Sequence, residues 1–140
     1  LPDLDLSLVR RQHEQSGAIG TIVLNPLLDE KRLRLFGQAR INSAGRITAF
    51  VEKPHRPISN LIHTTYQCYR PSVLELLPID TYCTIPELLI PALLGSNQPL
   101  FGYVTESEFI CISTIEQYNA ADESLRDRFR ARLEQTPLGG

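Results

Sequence analysis

The chain has 140 residues, 42% of them hydrophobic and 21% charged, and a formal net charge of −2; that suits one ordinary globular domain with its own core. No run of about 18 apolar residues and no charged-then-apolar leader supports a membrane span or a secretory signal, and the charge offers no basic field for nucleic acid. Cys68, Cys83 and Cys111 are odd in number and form no C-x-x-C pair, so reduced thiols in a cytoplasmic protein are the expectation, with neither a disulfide framework nor a zinc site.

The first element, "LSLVRRQHEQSG" from Leu6, reads as a short amphipathic helix with Ser7 as its N-cap, Ser16-Gly17 as its end, and Leu6, Val9 and His13 on one face. Residues 18–25, "AIGTIVLN", form a nearly unbroken apolar run and predict a strand buried on both faces of a parallel or mixed sheet. Residues 26–35 read as a connection with one helical turn. "FGQARIN" and "GRITAFVE" flank the tight turn Asn42-Ser43-Ala44-Gly45 and predict a hairpin. In its second strand Ile47, Ala49 and Val51 alternate with Thr48, Phe50 and Glu52. "NLIHTTYQCY" reads as another strand, and Pro71 opens a helix over "PSVLELL". "TIPELLIPALLG" reads as a helical segment kinked by its second proline and stopped at Gly95. "LFGYVT" and "EFICI" read as strands. The last element is a helix with Ser113-Thr114-Ile115-Glu116 as a capping box and a core-packing stripe of Tyr118, Ala121, Leu125, Phe129 and Leu133. Arg126, Arg128, Arg130 and Arg132 are interleaved with Asp127 and Glu134 and read as a solvated face. The tail "TPLGG", residues 136–140, reads as frayed.

Helices alternating with strands argue for an α/β layer architecture with a mixed sheet and one added antiparallel hairpin. Within it, Glu52 and Lys53 stand at the end of a strand, directly before Pro54. A solvated edge where pairing stops explains such charges. The order of pieces along the chain points further: Phe36-Gly37, Gly45-Arg46-Ile47, Phe50-Val51-Glu52-Lys53-Pro54, residues 66–74, Ile85-Pro86-Glu87-Leu88, Gly102-Tyr103, and residues 109–114 with Glu116-Gln117-Tyr118. This order resembles the sugar-1-phosphate nucleotidyltransferases, which make nucleoside-diphosphate sugars. The resemblance runs from about Leu4 to about Leu125 and covers only the second half of that family's catalytic domain.

The resemblance implies a partial Rossmann-like fold over residues 1–135, the sugar-phosphate side of a nucleotidyltransferase domain. It implies sugar 1-phosphate and a nucleoside triphosphate as partners and Mg2+ as the family's cofactor. Glu52 and Lys53 then face the sugar phosphate, a carboxylate for hydroxyls and an ammonium for the phosphate, with Thr64 and Thr65 in the sugar-contacting turn. The departures are as specific. The family's glycine-rich phosphate loop and one metal-binding aspartate belong to the half that this stretch does not contain. A second metal-binding acid matches Cys111, a poor ligand for a hard cation, and Ser113 and Thr65 stand where the family has glycines. This stretch alone is therefore expected to be inactive and to hold no metal. It reads as a fragment or degenerate member of such an enzyme, or as a non-catalytic regulatory or assembly subunit of the same fold. The absence of methionine and the start at Leu1 give a longer chain as a further expectation, and sheet surface left open by a missing half makes self-association another. His13, His55 and His63 lack metal-ligand spacing, and His13 and Cys111 read as a satisfied structural histidine and a buried inert thiol.

Overall fold

A computed structural model of the chain describes residues 3–135, with side chains to residue 131. They fall into two compact units, Asp3–Ser107 and the stretch from Glu108 onward.

The first unit is built on a five-stranded mixed sheet of order β3-β2-β4-β1-β5. Its strands are β1 (Gly20–Pro26), β2 (Gln38–Ile41), β3 (Ile47–Val51), β4 (Leu61–Tyr69) and β5 (Leu100–Val104). The apolar run of residues 18–25 becomes β1, buried along nearly its whole length, paired in parallel with β5 and antiparallel with β4. Strands flanked on both sides and covered on both faces carry such continuous apolar sequence. The hairpin of β2 and β3 closes through the Asn42 turn, where Gly45 takes φ +79° and the Asn42 side chain accepts from the amides of Ala44 and Arg46.

On one sheet face Ile22, Leu24, Ala39, Ile47 and Leu100 pack with Val73, Leu89, Ile90 and Leu93 from the helical segments. Helix α1 (Leu6–Ser16) contacts β1, β4 and β5, and His13 Nδ1 lies 2.9 Å from Thr21 Oγ1. The result is an α/β fold with helices flanking a mixed sheet, consistent with a partial Rossmann-like domain, and His13 is satisfied structurally. Asp5, not Ser7, caps α1: its carboxylate accepts the Ser7 amide at 2.9 Å, because an ionised acceptor directly before the first helical residue outcompetes a hydroxyl already inside the helix. Gly17 ends the helix in the left-handed region at φ +65°.

Helix α2 (Glu30–Leu33) is the single turn expected between β1 and β2. Pro71–Leu76 is a 3₁₀ helix, tighter than the predicted α-helix. The two-proline segment splits into a π turn over Ile85–Leu89 and helix α3 (Ile90–Gly95). Pro91 has no N–H for the carbonyl of Glu87 and its ring crowds that carbonyl, so the chain widens and the Ile90 amide reaches Ile85 O instead.

In the second unit, "EFICI" is not a strand: residues 108–112 are irregular and belong to no strand ladder among the described residues. Alternation alone does not make a strand without a ladder partner. Helix α4 (Ile115–Gln135) starts one residue later than the predicted capping box. Thr114 Oγ1 accepts from the Gln117 amide, and Gln117 Oε1 accepts from the Ser113 amide at 2.7 Å, so Thr114 and Gln117 form the reciprocal pair. The apolar stripe does not close into a core. Ala121 is buried, but Tyr118 and Phe129 are more than half exposed. The side chain of Leu133 and the tail 136–140 lie outside the described residues.

Candidate functional site

The ladder between β2 and β3 ends at Gln38 opposite Val51. Glu52 is the next residue, and Lys53 then takes φ +44°, a left-handed conformation that a side-chain-bearing residue rarely adopts. Successive side chains on a strand leave on opposite faces. The left-handed turn before Pro54 breaks that rule and lets Glu52 and Lys53 line one cleft, of about 350 Å³, with Gly37, His63, Thr65 and Gln67. Ile85 and Pro86 of the π turn add apolar surface to it. The volume is at the small end of the range typical of ligand clefts, about 300–1,000 Å³.

Glu52 is the unusual member. Its Oε2 is buried and has no hydrogen-bond partner among the described residues, while its Oε1 lies 3.9 Å from Lys53 Nζ. Burial raises its pKa above the ordinary value and Glu87 adds to the rise, while Lys53 works against it. The approach of Glu52 to the hairpin depends on Gly37. A Cβ there would meet Glu52 Oε2 and would come within 2.6 Å of the Phe50 ring, so any larger residue displaces the carboxylate.

Gln38 fixes the far side of the turn. It is fully buried; its Nε2 donates to Leu33 O at 2.8 Å, and its Oε1 accepts from the amides of Ile58 and Ser59. One carboxamide thus ties α2 to the loop that follows Lys53-Pro54. The π turn is capped by Thr84, whose hydroxyl accepts from the Glu87 amide and lies 2.9 Å from Glu87 Oε2.

Strand β4 supplies the rest. His63, Thr65 and Gln67 alternate along one of its faces and all border the cleft. His63 packs edge-on to Phe50 with ring centroids 5.7 Å apart, and burial lowers its pKa, so the ring is neutral near pH 7. Thr65 is exposed. Thr64 points the other way: it is 1% exposed and donates its hydroxyl to Val23 O at 2.9 Å, bonding β4 to β1 through a side chain. Of the four residues singled out in the sequence, Glu52, Lys53 and Thr65 meet in the cleft and Thr64 is packed beneath it. Sequence reasoning left out His63 and Gln67, although the period of two that relates them to Thr65 was available. Gln38 gave no signal, because nothing in "FGQARIN" says that its amide binds a loop twenty residues on.

Cys111 belongs to the second unit. It is half-buried, not fully buried as expected, and its Sγ lies 3.1 Å from Ser113 Oγ. A thiol and a hydroxyl do not fit magnesium, which selects anionic oxygen. Among the described residues no group of three His, Cys, Asp or Glu side chains is arranged to hold a metal ion. No described helix is long and apolar enough to cross a membrane.

A family model described as "Nucleotidyl transferase" matches residues 3–99. The chain is 28% identical over 120 residues to valienol-1-phosphate guanylyltransferase of Streptomyces hygroscopicus subsp. limoneus, covering 82% of this chain and 32% of that protein. It is also 28% identical over 120 residues to UTP–glucose-1-phosphate uridylyltransferase of a Synechocystis species, covering 84% of this chain and 31% of that protein. The chain therefore spans about a third of the length of these curated relatives.

Proposed function

The chain belongs to the nucleotidyl transferase family, and from that premise we propose that its cleft receives the sugar 1-phosphate of a reaction that yields a nucleoside-diphosphate sugar. The observation that carries the reading is Glu52: a carboxylate oxygen held out of water with no partner among the described residues, beside a lysine in a left-handed turn. Unpaired buried charge costs stability and is retained where a ligand completes it. Two relatives named for nucleotidyl transfer to a valienol 1-phosphate and a glucose 1-phosphate agree in substrate class.

In this reading Glu52 accepts from the sugar hydroxyls and Lys53 neutralises the 1-phosphate. Thr65 offers its hydroxyl at the rim, and Thr64 keeps β4 in register beneath. The parent reaction is attack of a sugar 1-phosphate oxygen on the α-phosphorus of a nucleoside triphosphate; the new P–O bond forms as the bond to the β-phosphate breaks and pyrophosphate leaves. Residues 1–135 would be the sugar-phosphate side of that domain. No step is assigned to magnesium, because the Cys111 and Ser113 donors do not fit it.

A second reading, a non-catalytic regulatory or assembly subunit, is favoured by Cys111 and Thr65, a thiol and a β-branched side chain where the family resemblance implies an acid and a glycine. The coding sequence upstream of Leu1 separates the two, through the presence or degeneration of a glycine-rich phosphate loop.

Titration of the chain with glucose 1-phosphate, mannose 1-phosphate and inorganic phosphate, followed by amide chemical shifts, tests the site. Both sugar phosphates should shift Gly37, Lys53 and Thr65, and Lys53→Ala should weaken all three ligands at least tenfold. No response to either sugar phosphate at millimolar concentration overturns the proposal.

A further inference from the structure

Gln67 stands on the cleft-facing side of β4, and its carboxamide is used on one end only. Tyr69 Oη donates to Gln67 Oε1 at 3.0 Å, and His63 Nε2 lies 3.4 Å from the same oxygen. Burial pushes the Tyr69 hydroxyl far above its ordinary range, so it keeps its proton as a donor at any physiological pH. With an oxygen as its neighbour, neutral His63 donates through Nε2. Both neighbours thus claim the carbonyl end and fix which way the amide points. No described residue accepts from Gln67 Nε2, and that nitrogen is not sealed from solvent.

We propose that Gln67 is a specificity-determining residue of the cleft, its oriented amide N–H donating to a hydroxyl oxygen on the sugar ring of the bound sugar 1-phosphate. The inference rests on the proposed function and extends it from substrate class to substrate choice. The three polar groups then divide the ligand. Lys53 takes the phosphate, which every sugar 1-phosphate carries; Glu52 accepts a hydrogen bond from a hydroxyl; Gln67 donates to a hydroxyl oxygen. An acceptor and a donor at fixed places on the wall discriminate hydroxyl position and stereochemistry far better than a charge does, because a sugar whose hydroxyl is absent or inverted leaves a polar group unpaired.

The test is a binding panel of hexose 1-phosphates that differ at single ring positions, with inorganic phosphate as reference, on the wild-type chain, Gln67→Met and Gln67→Glu. Met keeps the side-chain length and removes the donor; Glu keeps the Tyr69 and His63 acceptor and replaces the donor with an oxygen, so one variant survives if the other disturbs packing. The wild type should prefer one hexose 1-phosphate; Gln67→Met should lose about tenfold on it with little change for the disfavoured epimer or for inorganic phosphate, and Gln67→Glu, whose added negative charge weakens every phosphate ligand alike, should lose the preference between epimers. Gln67→Met and Gln67→Glu that retain the wild-type preference overturn this inference and leave the proposed function standing. A wild type that binds no hexose 1-phosphate overturns both.

Discussion

Glu52 shows how one side chain links stability to function. Its native pKa is raised, chiefly by burial, then by Glu87, and against the pull of Lys53. The folded state therefore holds the proton more tightly than the unfolded chain, and stability falls as pH rises from the ordinary carboxyl value of 4.5 through the higher folded value, staying lower above it. Removing the charge should return what is lost. We expect Glu52→Gln to raise stability at pH 7 to 8 by roughly 1 kcal/mol, a figure discounted because water still reaches part of the side chain, or a few degrees in Tm. The gain should vanish near pH 4, where the wild-type carboxyl is protonated in both states. Thermal melts at the two pH values check this; an equal gain at both would mean that the effect is packing and not charge. The same variant should bind sugar 1-phosphate more weakly, the usual relation between a destabilised residue and a used one.

At the scale of elements, the cleft exists because the β2–β3 hairpin, α2 and the loop after Pro54 are tied at Gln38. Three backbone groups, Leu33 O and the amides of Ile58 and Ser59, depend on that one carboxamide. Gln38→Ala leaves them in a site that water enters poorly, and we expect it to cost about 2–3 kcal/mol in urea unfolding. Amide exchange at Ile58 and Ser59 should quicken while Ile22 and Leu24 in the central strand stay protected up to the global limit. Uniform loss of protection would instead make Gln38 a core residue with no particular hold on the loop. The π turn belongs to the same scale. Pro91 sets the local geometry of Ile85 and Pro86, so the cleft's apolar lining follows from a proline outside it.

For the whole molecule, acid response is a sum of opposed terms. His13 and His63 both have lowered pKa values, His13 through burial and then Arg70, His63 through burial against its bond to Gln67. A histidine kept neutral in the fold contributes stability above its ordinary value of 6.5 that is lost as pH falls below it, because the unfolded chain then takes the proton first. Glu52 runs the other way, gaining stability toward acid. As pH falls from 7 to 5, the Tm of Glu52→Gln, stripped of the carboxyl term, should therefore fall further than that of the wild type. A flat profile in the variant would show that the histidines titrate as they do in the unfolded chain.

The order of local signals along the sequence was enough for the α/β class, the central buried strand, the Asn42 hairpin, the kinked two-proline segment and the family resemblance, because apolar period, turn chemistry and motif order are properties of neighbouring residues. Residue pairing in space was not. That Asp5 and Thr114 act as caps, that "EFICI" finds no ladder partner, and that Tyr118 and Phe129 of the α4 stripe stay exposed depend on which groups arrive nearby after folding. The cleft makes the same division: Glu52 and Lys53 were legible as a motif, but their common direction comes from a left-handed turn at Lys53, and the orientation of Gln67 comes from Tyr69 and His63. A linear sequence specifies which donors and acceptors exist; only the tertiary structure decides which of them are already spent, and the unspent ones remain to meet a ligand.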